Sequence, residues 1–281
     1  MRNDPRVEAV VPDTVGSYST FGALAYEEPL NKRFLYGDIT TRFVDQIPFA
    51  AADHTVLDIG CGTGFVFDHT ATRFAALGIR GIGVEPAPGM LDIARAKYQG
   101  NPRYTFAAGS FENLPVPDAS VDRIVSTLAL HWVKSVPVAA VEMRRVLRPQ
   151  GAADLLMIAR DDGARFKRAV VAAQRRHLSF AQIMATAGLV QRLTPKEVVA
   201  AFAPFAGGFT VEVRQFDEVV FGTFEQHMAW WLARSSPVIA AVADRAGFMA
   251  DLRTELSRLG TETGIPFDTS YLWITVRSIG R

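Results

Sequence analysis

At 281 residues, 49% apolar and 21% charged, the chain is long enough for one large soluble domain or a domain with a subdomain. Its 30 Lys and Arg against 29 Asp and Glu leave a net charge of +1, which creates no field to draw in a polyanion and argues against nucleic acid as a partner. The single cysteine, Cys61, excludes an internal disulfide and a cysteine-based metal cage, and the five histidines show no metal-ligand spacing. The most apolar stretch, around Val198 to Phe209, is too short to span a bilayer and is broken by Pro204, Gly207 and Gly208. Met1 is followed by Arg2, Asn3, Asp4 and Pro5 with no hydrophobic signal core, so a cytoplasmic enzyme, neither in nor on a membrane, is expected.

In chain order, residues 1–34 read as an amino-terminal lid segment ahead of a core helix, with Tyr18, Tyr26 and Arg33 as candidates to touch a ligand. The bland alternative makes the tyrosines lid packing and Arg33 a solvated charge. Residues 35–160 read as a cofactor-binding core. From Thr55 short apolar runs alternate with helix-length segments, the pattern of βαβ units and a parallel sheet. The expected strands cover 55–59, 81–85, 104–107, 123–127 and 153–159, with helices near 65–77, 89–98 and 138–147. Arg148-Pro149-Gln150-Gly151 is expected to close the last of these helices with a turn.

Residues 161–208 read as a helical cap insertion. Thr194-Pro195-Lys196-Glu197 is a helix start, with a capping Thr, Pro at the first position and Glu three residues after the cap. Residues 209–281 complete the core sheet: strand character returns at 209–221, a helical stretch follows in two parts, and 270–278 is rich in β-branched and aromatic residues.

The chemistry-bearing signal is Val56-Leu57-Asp58-Ile59-Gly60-Cys61-Gly62-Thr63-Gly64, a strand running through an acidic residue into a glycine turn that opens a helix. Such a turn needs backbone angles that side chains forbid, and lets a ligand approach the main chain. Glu85 ends the next strand roughly 20 residues on, where a carboxylate accepts hydrogen bonds from ribose hydroxyls. Gly109-Ser110-Phe111-Glu112 follows the third strand and is placed to border an adenine ring, and Asp122-Arg123-Ile124-Val125 begins the strand beneath the reaction centre. A nicotinamide-dinucleotide oxidoreductase is the rival. Phe65 stands where its Gly-x-Gly-x-x-Gly fingerprint has the last glycine, and Asp58 would repel a pyrophosphate but attract the ammonium of a methionine moiety.

Leu57 to Gly64, Glu85-Pro86 with Met90-Leu91, Leu114-Pro115, Ala129-Leu130-His131-Trp132 and Arg145 to Pro149 together resemble the class I S-adenosylmethionine-dependent methyltransferases. The resemblance is greatest to the branch with the ubiquinone and menaquinone methyltransferases and the malonyl-carrier-protein O-methyltransferase. It is dense from about Val56 to Leu156 and diffuse elsewhere. It implies an α/β, Rossmann-like, seven-stranded, mostly parallel sheet with helices on both faces and its last strand antiparallel. It further implies S-adenosylmethionine as cofactor and S-adenosylhomocysteine as product. Asp58, Gly60, Cys61 and Gly62 would then lie at the methionine end, Glu85 on the ribose, Pro86 and Met90 against adenine, Ser110 and Phe111 beside it, and Thr127 at the edge of the reaction centre. Ser110 departs from the family, which usually has Asp there.

His131, just past the strand ending at Thr127, is the candidate general base, against the alternative that His131-Trp132 packs beside the cofactor. Phe180, Met184, Phe202, Phe205, Trp230 and Trp231 could wall an apolar acceptor or be ordinary core. The basic run Arg165, Lys167, Arg168, Arg175, Arg176 and His177 could steer an anionic acceptor or carrier protein, or be a solvated helix face. Cys61 reads as a small filler. The expected activity is methyl transfer to oxygen or carbon of a mainly apolar small metabolite, carboxylate-bearing acceptors included, without a metal. A protein of this fold that keeps the cofactor and does not methylate is the alternative. The oligomeric state is not encoded in any of these features.

Overall fold

The computed structural model describes residues 27–187, 190–232 and 235–280. A short helix α1 (Pro29–Arg33) and α2 (Tyr36–Gln46) lead into β1 (Thr55–Ile59), α3 (Phe65–Leu77), β2 (Arg80–Glu85), α4 (Pro88–Lys97), β3 (Tyr104–Ala108) and β4 (Val121–Thr127). A single 3-10 turn at Leu130–Trp132 precedes α5 (Val136–Val146) and β5 (Leu147–Ile158). Three helices follow, α6 (Ala164–Gln174), α7 (Phe180–Ala187) and α8 (Pro195–Ala201), then β6 (Phe209–Gly222), α9 (Phe224–Leu232), α10 (Ser236–Ala241), α11 (Arg245–Ser257) and β7 (Ile265–Ser278).

The seven strands form one sheet of order β3-β2-β1-β4-β5-β7-β6, in which β7 runs antiparallel to both neighbours. Strand β1 is buried at all five positions. The alternation of a pleated strand sends Val56, Val125, Leu156 and Tyr271 to one face and Leu57, Ile124, Leu155 and Leu272 to the other. Helices α2, α3, α6, α9 and α11 bury their apolar residues on the first face, α5 and α8 on the second. Covering both faces is what a parallel sheet requires. The chain order reverses between β1 and β4, so the crevice at the carboxyl ends of these two strands is where such a sheet takes its ligand.

Two strand expectations are corrected. Arg148 to Gly151 does not close α5 with a turn: β5 starts at Leu147, directly out of the helix, and the register with β4 slips between Val121 and Arg123. The four residues are accommodated as an irregularity inside the strand. Strand β7 starts at Ile265, five residues earlier than expected. Pro266 and Asp268 are poor strand formers, but beyond the Ile158–Tyr271 pair β7 has outrun β5 and pairs with β6 alone, so the missing Pro266 donor breaks no ladder on the other side. The Thr194 capping box forms as expected, with Glu197 N donating to Thr194 Oγ1 and Glu197 Oε2 accepting from Thr194 N.

Asp122 and Arg123 are structural. Asp122 accepts from Thr55 N at 2.8 Å and pairs with Arg148. Arg123 is buried and bonds Asp53 at 3.0 Å and Asp154 at 2.5 Å, while Arg277 also pairs with Asp154. This network ties β4 to β5, β7 and the segment before β1. Removing one member of a buried ion network strands the others, so Arg123→Leu is expected to lower the unfolding free energy by about 3–5 kcal/mol in urea denaturation. The half-exposed Arg42, paired with Glu218, should lose about 1 kcal/mol or less as Arg42→Ala. Equal losses for the two variants would show that burial is not what gives Arg123 its weight.

Candidate active site

Strand β1 delivers Asp58 and Ile59 to the carboxyl edge of the sheet, and the chain turns at once through Gly60, Gly62 and Gly64 with φ of +72°, +55° and +93°. Gly60 is fixed by space as well as by angle. A Cβ there would stand 2.2 Å from Cβ of Ala129, so the glycine turn and the segment after β4 touch. Gly64 caps α3 beneath the ring of Tyr98, whose hydroxyl donates to Asp68 at 2.5 Å and lies 3.3 Å from Gly64 O. Lys97 donates to Thr63 O at 2.8 Å and to Asp68 at 2.7 Å. Helix α4 therefore clamps the turn from outside, a role for Lys97 and Tyr98 that the sequence pattern does not announce.

Glu85, at the end of β2, accepts from Gly62 N at 3.0 Å and from Ala87 N at 2.9 Å. Each carboxylate oxygen keeps further acceptor capacity. Burial raises the Glu85 carboxyl above the usual range, and the two backbone donors oppose that rise. Asp58 is 1% exposed, and among the described residues neither of its oxygens has a hydrogen-bond partner. Burial first, and the charge of Glu85 second, push its carboxyl up to about 8. Two buried acids beside a glycine turn, one with no partner, form a site short of a positive charge. A ligand ammonium supplies it, so the residues present fit the methionine end of S-adenosylmethionine.

Along the same edge, Pro86 is exposed, while Met90 is buried with Ala87 and its Sδ lies 4.0 Å from where a Gly62 Cβ would be. Ser110 is half-buried, pairs through its backbone with Asn113, and accepts from Glu112 N at 3.3 Å. The ring of Phe111 is buried in the core on the α5 face. Cys61 is buried against Gly83, and burial, with Asp58 and Glu85 next, lifts its thiol well above the ordinary value. Thr127 is half-buried at the end of β4, and Leu128 takes φ +55°, a strained angle for a branched side chain. His131 is buried in the 3-10 turn, its ring 5.3 Å from Trp132 and its carbonyl accepting from Gln191 N at 2.7 Å. Arg33 is exposed at the end of α1. Tyr18 and Tyr26 lie outside the described residues.

The aromatic candidates separate. Phe202 and Phe205 are buried against α5 and β6, Trp230 and Trp231 are buried on the other face, and Phe180 and Met184 are exposed on α7 at 77% and 53%. The basic run is not a free cationic field. Arg165 pairs with Asp268, Arg176 with Glu255 and Asp251, and His177 with Asp251, so these residues tie α6 and its end to β7 and α11. Lys167 reaches the carboxyl edge at Asp162, and Arg168 and Arg175 are exposed. Asp162, Tyr36 and Arg192, which meet there, are functional candidates that sequence reasoning missed. Asp161-Asp162-Gly163 carries only a turn signal.

Because the folded chain keeps a proton on Asp58 that the unfolded chain releases above about pH 4, this group lowers stability progressively from about pH 4 to about pH 8, and by a constant amount above that. Asp58→Asn removes the slope. Its melting temperature, without ligand, is expected to exceed that of wild type by a margin that widens from pH 5 to pH 8. A margin flat across that range in thermal unfolding would refute the raised pKa.

The methyltransferase domain family matches residues 57–153. A malonyl-[acyl-carrier protein] O-methyltransferase of Serratia marcescens is 38% identical over 34% of this chain and 35% of its own length. A demethylmenaquinone methyltransferase of Symbiobacterium thermophilum is 36% identical over 39% of this chain and 44% of its own. The chain thus spans less than half the length of these curated relatives. Among solved structures, a phosphoethanolamine N-methyltransferase of Haemonchus contortus superposes with a TM-score of 0.58 at 15% identity, over 92% of this chain and 60% of that one. The YcgJ protein of Bacillus superposes with 0.55 at 22% identity, over 85% and 96%. At these identities the structures show the shared fold. With the glycine turn, Glu85 and the β3-β2-β1-β4-β5-β7-β6 sheet built around the matched segment, residues 57–153 belong to the methyltransferase domain family, of the class I S-adenosylmethionine-dependent type.

Proposed function

We propose that the protein transfers a methyl group from S-adenosylmethionine to an oxygen or carbon of a mainly apolar small metabolite. The observation that carries this reading is Asp58: a carboxylate buried over a glycine turn, with no partner for either oxygen among the described residues. Asp58 receives the ammonium of the methionine moiety, and Gly60 and Gly62 let the main chain approach it. Glu85 accepts from the ribose while its own backbone donors hold it in place. Pro86 and Met90 border the adenine, with Ser110 as a weak acceptor at its rim.

The cofactor brings an activated methyl group on a sulfonium, so the chain has little bond-breaking to assist. Its contribution is alignment in a water-poor site, which by itself supplies about 7–11 kcal/mol. An acceptor hydroxyl or enol must also lose a proton. His131, held at the end of β4 by Gln191, takes that role; a carboxylate acceptor needs no base. Of the helices between β5 and β6, α7 is the one left exposed to close over both ligands as a lid, while residues 1–26 of the amino-terminal lid segment lie outside the described residues. The acceptor is a free small molecule or one borne by a carrier protein, consistent with the kind of enzyme named among the relatives. No helix among the described residues is long and apolar enough to cross a membrane.

Calorimetric titration tests the reading. S-adenosylmethionine and S-adenosylhomocysteine are expected to bind, NADH and NADPH not, with Glu85→Ala weakening both sulfur ligands by about 10–100-fold through lost hydrogen bonds to a charged group. At pH 7 binding should expel close to one proton, read from the heat in two buffers of different ionisation enthalpy, and Asp58→Asn should bind without expelling it. Binding of the nicotinamide ligands alone would overturn the reading. Tight binding with no S-adenosylhomocysteine formed against any acceptor would leave a cofactor-retaining protein that does not methylate.

A further inference from the structure

The carboxyl edge of β5 carries a second group of charges, of opposite sign to the pair at β1 and β2. Residues 190–193 cross this edge as a strap. One end is tied by Gln191 N to His131 O at 2.7 Å, the other by Arg160 N to Leu193 O at 3.1 Å and by a parallel bridge between Ala159 and Leu193. Arg192 therefore hangs between the ends of β4 and β5. Its Nη1 lies 3.5 Å from Asp162 Oδ2, and among the described residues no other donor of its guanidinium is engaged. Lys167, on the first turn of α6, donates to the carbonyl of Asp162 and stands 3.6 Å from Oδ2. Asp162 is buried, and its Oδ1 already accepts from the Tyr36 hydroxyl and from Ser270 N at 3.1 Å.

We propose that Arg192 and Lys167, braced by the buried Asp162, form an anion site that takes the carboxylate of the methyl acceptor. The proposal rests on the function given above, and it names the chemical class of the acceptor. Two cations face one carboxylate whose remaining capacity is shared between them at 3.5 and 3.6 Å, longer than a saturated ion pair. The other charges nearby are accounted for. Arg160 is paired with Glu197 and Arg165 with Asp268, and Asp161 is exposed to water, where its charge is screened. An arginine fork with open donors beside an ammonium matches a planar carboxylate. Burial lowers the Lys167 ammonium to about 8, as the absence of a full counter-charge requires.

Position and backing agree with this. The ends of β1 and β5 are two strand spacings apart, about 10 Å, with the end of β4 and His131 between them. An acceptor held at Arg192 thus faces a cofactor held at Asp58 across the reacting edge. Behind the cluster, the Tyr36 ring lies 5.9 Å from Trp230 and 6.5 Å from Phe267, in the buried core that fixes the hydroxyl on Asp162. Leu35 is held at φ +51° immediately before Tyr36, and Leu128 at +55° immediately after β4. Strained non-glycine residues on both sides of one edge mark a place where geometry is fixed against local preference.

The test titrates butanoate, hexanoate and octanoate, each against its primary amide, into the full chain saturated with S-adenosylhomocysteine, and repeats this without it. At least one carboxylate is expected to bind tenfold or more tighter than its amide. Arg192→Gln and Lys167→Met should each erase that preference while leaving S-adenosylhomocysteine affinity near wild type, and Arg192→Lys should restore part of it. No preference for any carboxylate in wild type, or a preference that survives both Arg192→Gln and Lys167→Met, overturns the anion site. Loss of S-adenosylhomocysteine binding with the carboxylate preference intact would instead overturn the proposed function and leave the anion site standing.

Discussion

A carboxylate at the end of a fully buried central strand is the constraint around which the site is arranged. Asp58 has lost water on every side, and burial makes its charged form unfavourable until a cation arrives. The surroundings keep that arrangement from relaxing. Val125 and Gly83 flank Asp58 in the sheet, Ala129 closes on Gly60, and Glu85 is held by Gly62 and Ala87, so the second carboxylate cannot swing away to lower the repulsion. Lys97 and Tyr98 hold the turn through Thr63, Gly64 and Asp68. The chain thus spends folding stability on a local electrostatic deficit that a ligand relieves, as functional sites commonly do.

The core of the fold was legible because its signals are local. Strand β1 with its glycine turn, helix α3 at 65–77, and the Thr194 box depend on residues within a few positions of each other, and the structure forms all three. Where the reading slipped, long-range pairing had overruled local preference. Pro266 and Asp268 look like breakers until β6 is seen to be their only ladder partner, and Arg148 to Gly151 look like a turn until Leu147 is seen paired to Val121. Neither fact can be extracted from residues near in sequence.

The site divides in the same way. Asp58, Gly60, Gly62 and Glu85 stood out because a turn motif and the end of the next strand fix them relative to one another. The Asp162 cluster did not, since it is assembled from α2, the end of β5, α6, the strap and β7, with bonded partners up to 126 positions apart. The basic run is the converse case. Along the helix it could be a steering charge or a solvated face, and folding pairs Arg165, Arg176 and His177 with acids of β7 and α11 while Lys167 reaches Asp162.

These two charge environments bear on each other. A sulfonium with its ammonium is a cationic ligand, and it lies best toward the acids of β1 and β2. An acceptor that approached from the same side would compete for that field. The cations at β5 instead favour an acceptor of opposite sign and place it across β4 from the cofactor. In a site shielded from water the two ligands would then attract each other as well as the protein, because the screening that weakens such forces in solution is removed. The strap of residues 190–193, bonded both to His131 and to Leu193's partner Ala159, links the cation site directly to the segment after β4. A group that binds Arg192 therefore bears mechanically on His131 and, through the Ala129–Gly60 contact, on the glycine turn itself. Acceptor and cofactor would be coupled through about three short contacts and not through a movement of the whole sheet.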